Sequence, residues 1–261
     1  MTWLGALLTA VGLTDLLRGF GLNRRWAAAI GVTSGVLAIP VAGRGGWGDA
    51  AAGVLVGAIV ILWVYLTRRA GSARPHAAAL ALAVLGVGAA VLVAFSGLSV
   101  KPGGSVLEDW LRSLEVGPVR FVEASHAMLL FGVLLVNLAT GNLVVRLVLA
   151  STGALRPADI NPAPPSTPST GPAAELRGGR LLGPMERLLI VGLGLAGQLT
   201  AAGLVIAAKG LIRFPELQAK RSDTEEIQGA GIDQVTEYFL VGSFVSWLFA
   251  LTSLVSLGLV Q

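Results

Sequence analysis

Cysteine is absent from the 261 residues, which excludes disulfides, thiolate metal sites and thiol nucleophiles. Charge is nearly as scarce. Asp, Glu, Lys and Arg make up 13% of the chain, about half of the ~25% usual in soluble domains. Histidine occurs twice, and no serine nucleophile elbow, HExxH helix or Walker loop is written anywhere. The net charge of +4 is spread along the chain, so the basic balance reflects few acids and arginine-marked loops and excludes a nucleic-acid surface.

What remains is apolar. Hydrophobic residues reach 54% and mean hydropathy is strongly positive, the composition of a multi-pass membrane protein with the lipid bilayer as its surroundings. The 35 glycines permit close helix packing, since small residues let backbones approach in lipid. The opening MTWLGALL lacks a basic region and a small-residue cleavage motif, so it is expected to stay as the first helix.

A spanning helix needs about 20 mostly apolar residues. Seven stretches qualify: 2–20, 26–43, 50–67, 77–98, 121–149, 185–209 and 236–260. The expected fold is therefore all-α, a polytopic bundle of about seven transmembrane helices. Trp63 and Tyr65 are expected in an interfacial aromatic belt. Between the fourth and fifth stretches, SVLEDWLRSLEVG carries a capping box in Ser105 and Glu108. Leu107, Trp110, Leu111 and Leu114 there share a helical face, predicting a short interfacial helix at 105–116 anchored by Trp110. A loop helix packed on the bundle is the alternative.

Residues 151–183, rich in Pro, Ser and Thr, read as a flexible linker. It separates a five-helix portion, 1–150, from a two-helix hairpin, 184–261. No internal repeat of the transporter kind is visible. Arg18, Arg24 and Arg25, and Arg68, Arg69 and Arg74, mark the richer loops, whereas Arg44 stands alone in the loop between them. The positive-inside rule then puts the N-terminus outside, and the linker and C-terminus in the cytoplasm.

The run RLLIVGLGLAGQLTAAGLVIAAKG holds GLGLAG, the spelling of a dinucleotide-binding turn. A Rossmann unit needs strands around that turn. Here residues 188–208 are apolar apart from Gln198 and Thr200 and would span about 31 Å as one helix. The expected role of the glycines is packing, through the pairs Gly192 and Ala196, Gly197 and Ala201, and Gly203 and Ala207. Arg187, Gln198 and Lys209 are 11 residues apart, which would place them on one polar stripe through the bilayer, facing protein or water.

The segments GPMERLL, GLVIAAKGLIRFPEL and EYFLVGSFVSW resemble the C-terminal module of a family of uncharacterised bacterial multi-pass membrane proteins, known as a domain of unknown function. In that module an ER pair, here Glu186 and Arg187, opens one membrane helix. An AAKS-x-x-RF motif closes it and an EYFLIG motif opens the next. The likeness runs from about residue 182 to 261. Gly210 stands where the motif has serine. The resemblance implies a bacterial membrane location and no particular activity.

Lys209, Arg213 and Glu216 cluster at the end of the sixth stretch, and Glu237 opens the seventh. In an antiparallel hairpin they would form an ion pair that fixes it, or a site for an anionic headgroup. Glu123 and His126 are at i and i+3, with Asn137 farther along the same face. Glu-x-x-His is used in dimetal bundles, but those need two copies. A histidine satisfied by its neighbouring glutamate is the plainer reading, with a proton relay as the alternative. Asp15 and Arg18 can neutralise each other, and Asn142 and Arg146 mark the corresponding end of the fifth helix. No cofactor, catalytic set or metal site is expected. The leading function is a non-enzymatic scaffold or accessory subunit with a protein partner or a second copy in the membrane. A small transporter or channel using the polar positions is the alternative, and a lipid enzyme has least in its favour.

Overall fold

The computed structural model describes residues 1–71, 75–100, 104–114, 117, 122–153, 179–208, 210–211 and 232–258. Every regular element among them is helical: α1 Thr2–Gly19, α2 Arg24–Val41, α3 Trp47–Ala70, α4 Pro75–Ala94, α5 Val106–Ser113, α6 Ala124–Ser151, α7 Gly179–Leu195, α8 Leu199–Ala208 and α9 Ile232–Gly258. A π segment, Val136–Thr140, interrupts α6.

Four of these helices, not seven, are long and apolar enough to cross a membrane: Trp47–Ala70, His76–Ala94, Ala124–Ser151 and Phe239–Gly258. The shortfall has physical reasons. α1 and α2 have 18 residues each and carry Asp15 with Arg18, and Arg24 with Arg25 and Pro40, respectively. α7 has 17 residues, among them Glu186 and Arg187. α1 is nevertheless the most enclosed helix of the bundle, packed on α2, α3 and α6. Glycines make this possible. A Cβ at Gly5 would stand 2.9 Å from the Leu129 nitrogen, and one at Gly132 would stand 2.9 Å from the Gly5 carbonyl oxygen. The α1 and α6 backbones are thus in direct contact.

Contact register gives the directions. Gly5 meets Leu129 and Gly12 meets Leu135, so α1 and α6 run parallel. Gly183 meets Asn142 while Arg187 meets Gly141, so α7 runs against α6. Arg187 bonds Ser246 and Gly194 abuts Leu254, a nearly constant offset that makes α7 and α9 parallel. The expected C-terminal hairpin is therefore incorrect: its two long helices point the same way, and the chain returns between Leu195 and Ile232. With α9 running against α1, Leu257 joins the cluster that holds Met1 and Leu4. The two ends of the described chain lie at one end of the bundle, not at opposite ends as expected.

The single helix expected over 185–209 is also corrected. It ends at Leu195 because Gly197 adopts φ +73°. The Gly197 N–H donates to Gly194 O (3.0 Å) and the Gln198 N–H to Leu193 O (2.8 Å), the paired bonds of a Schellman cap. GLGLAG is thus a helix terminus. Its packing glycine is Gly194, against Leu254 of α9, whereas Gly192, Gly197 and Gly203 have nothing within 4 Å among the described residues. α7 begins at Gly179, inside the stretch read as linker. Residues 154–178 of that linker lie outside the described residues.

The amphipathic helix is present as α5. Its cap is shared rather than reciprocal: the Ser105 hydroxyl accepts from the Glu108 N–H (3.3 Å) and donates to Val41 O (3.1 Å), while Glu108 accepts from the Ala124 N–H at the start of α6 (3.2 Å). α5 therefore ties the ends of α2 and α6 together. Leu111 is buried, whereas Trp110 and Leu114, expected on the same face, are exposed.

Candidate functional site

The interior carries a polar centre built on the π segment of α6. In a regular α-helix the Asn137 carbonyl would accept from Gly141. Here the Gly141 N–H reaches back to Val136 O, which releases the Asn137 carbonyl. Arg187 of α7 takes its place: Nε donates to Asn137 O at 2.9 Å, one terminal nitrogen to Ser246 Oγ at 3.0 Å and the other to Asn142 Oδ1 at 2.9 Å. The guanidinium lies flat on Gly141, where a Cβ would stand 2.5 Å from Nε. Arg187 is 1% exposed, and the three groups that hold it are neutral. Asn137 donates to Val133 O (2.9 Å) and Ser253 Oγ (3.0 Å), while its own Oδ1 is buried with no donor among the described residues.

Two buried carboxylates lie between α1 and α3. Asp15 accepts from Arg18 (3.0 Å) on its own helix and from the Trp63 indole of α3 (3.1 Å). Arg18 also reaches the Thr67 hydroxyl (3.5 Å). The buried Thr140 hydroxyl, outside strict hydrogen-bond geometry, faces the same carboxylate. Asp49 of α3 accepts from the Trp3 indole of α1 (2.7 Å), Ser99 Oγ (2.6 Å), Gly46 N–H (2.9 Å) and Val100 N–H (3.4 Å). Each helix thus gives one tryptophan and one aspartate to the other. Trp63 is fully buried by this bond, which corrects its placement in an aromatic belt. Tyr65 is exposed, with Arg69 4.5 Å from its ring.

The expected pairing of Asp15 and Arg18 is present. Glu123 and His126 approach to 4.0 Å at the start of α6, and no three-residue metal-binding group occurs among the described residues. Asn137 is buried far from that pair and belongs to the Arg187 centre. Asn142, read with Arg146, bonds Arg187. Arg146 and Glu186 are half-buried. Gln198 is exposed at the Schellman turn, so the stripe of Arg187, Gln198 and Lys209 is broken by the end of the helix. Lys209, Arg213 and Glu216, and the side chain of Glu237, lie outside the described residues.

The groups that sequence reading missed are Trp3, Asp49, Ser246 and Ser253. A local signal existed for Asp49 alone, as an acid three residues past the glycine that precedes α3. Compared with family models, with curated proteins and with solved structures, the chain matches none.

Proposed function

We propose that the protein is a non-enzymatic integral membrane subunit of a bacterial inner membrane, serving as a scaffold or accessory component of a larger assembly. The observation that carries this reading is where the buried charges make their bonds. Asp15, Asp49 and Arg187 each bond groups on other helices of the same chain, so they hold the bundle together. Arg18, Arg24 and Arg68 stand close enough to repel one another at one end of the bundle, and the positive-inside rule makes that end cytoplasmic. Both ends of the described chain then face outward, and the end of α6 and the start of α7 face the cytoplasm. Native mass spectrometry on protein extracted gently from its own membrane tests this. A stoichiometric protein partner is the expected result, and a lone monomer or homo-oligomer overturns it.

A second reading, a small anion transporter or channel, has one observation in its favour. Among the described residues, three of the five N–H groups of a guanidinium are used at Arg187, near the orphan Asn137 Oδ1. This places a buried cation, hydrogen-bonded to neutral groups, near the middle of α6. Chloride flux into liposomes that disappears in Arg187→Gln, with the fold retained, would support it. Absence of flux in the unmodified protein rejects it.

A further inference from the structure

A groove of about 480 Å³ runs between α2 and α3, within the roughly 300–1,000 Å³ of small-molecule sites. Its walls are Val32, Val36 and Val54, and its floor is opened by Gly53 and Gly57. A Cβ at Gly53 would only just touch Val36, at 3.7 Å. The groove is apolar along its length and closes at one end on Arg44. That residue is placed by the turn after α2, where Gly43 at φ +72° lets the Arg44 N–H return to Ile39 O (3.3 Å).

Arg44 keeps an unpaired donor there. Its Nε is buried with no acceptor among the described residues. Asp49 lines the same end, but its oxygens already accept from Trp3, Ser99, Gly46 and Val100. A buried donor left unmet is unfavourable by about 1–3 kcal/mol. Gly45 and Gly46 line the groove beside Arg44. Trp47, 94% exposed, follows three residues later at the start of α3, the residue type that settles at the headgroup level.

We propose that this groove binds one anionic phospholipid, with an acyl chain lying along α2 and α3 and its phosphate accepting from Arg44. The complement is specific at both ends: an apolar channel open to the bilayer, and a cation with an unused donor at headgroup depth. The site rests on the membrane reading of the chain and is independent of whether a protein partner exists.

The test is native mass spectrometry of the full chain in detergent, mixed with equal amounts of dioleoylphosphatidylglycerol and dioleoylphosphatidylcholine. One phosphatidylglycerol should be retained with about five-fold preference, the amount one interfacial arginine supplies. Arg44→Gln should retain both lipids equally, and Arg44→Lys should keep the preference. Ala50→Trp, at an exposed position lining the groove, should lose retention of both while melting as the parent does. If that variant does not fold, Val54→Trp asks the same question. Equal retention by the parent protein, a preference that survives Arg44→Gln, or undiminished binding in the filled groove each overturn the proposal.

Discussion

Arg187 and Asn142 offer the sharpest test of the polar centre. Asn142→Leu removes one of three acceptors, at 2.9 Å, from a guanidinium that is 1% exposed. A hydrogen bond to a buried charged group is worth about 1.5–3 kcal/mol, and an orphaned partner adds to the loss. Arg187→Met acts in two directions: it relieves the desolvation of a buried cation and strands the carbonyl of Asn137, which has no helical donor to return to. The single variants therefore mix opposing effects, and the double-mutant cycle isolates the pair. In the Arg187→Met background, Asn142→Leu removes an acceptor that no longer has its cation, and any other contact of Asn142 cancels between the two arms. The expected coupling is about 2 kcal/mol, a factor of roughly 30 in the unfolding equilibrium. It can be read by tryptophan fluorescence during reversible unfolding in mixed detergent micelles. A coupling below about 0.5 kcal/mol, the usual value for independent sites, would refute the arrangement.

Gly141→Ala should destabilise by about 1–3 kcal/mol through overpacking against the held guanidinium, whereas Gly192→Ala, in open space on α7, should stabilise by about 0.5–1 kcal/mol; melting temperatures of the two variants should move in opposite directions. Gly197→Ala should lose about 1–2 kcal/mol and Gly197→Asn less, because asparagine tolerates the left-handed region; equal melting temperatures would deny the Schellman cap. Trp63→Phe should be more destabilising than Trp3→Phe, since Asp49 keeps three other donors and Asp15 keeps little beyond Arg18. Denaturant midpoints that reverse this order would refute that assignment.

The helical, membrane-like character of the chain was legible because composition and apolar run length act locally. So were the neutralisation of Asp15 by Arg18, three residues apart, and the cap at Ser105. The Arg187 centre was not. The widening of α6 that frees the Asn137 carbonyl leaves no mark in hydropathy or periodicity. The Trp3 and Trp63 bonds join residues 46 and 48 positions apart, beyond any spacing rule. Gly197 was misread because a continuous apolar run outweighed a local cue, a glycine followed at once by a polar residue. The direction of α9 failed for another reason. Successive helices usually run antiparallel, and here the helix that ends at Leu195 and the last helix run parallel.

The crossed tryptophan and aspartate pairs have a consequence for assembly. On α1 the two contacts are 12 residues apart and on α3 they are 14 apart, about 18 and 21 Å along the axes. If α1 slides along α3 by one turn, about 5.4 Å, both carboxylates lose their indoles at the same step, and reversing either helix separates every partner. A slip thus removes both indole bonds together, leaving Asp49 its loop donors and Asp15 its own Arg18. α1 and α3 therefore share one register in which both indoles find their carboxylates, and the two helices settle as a pair.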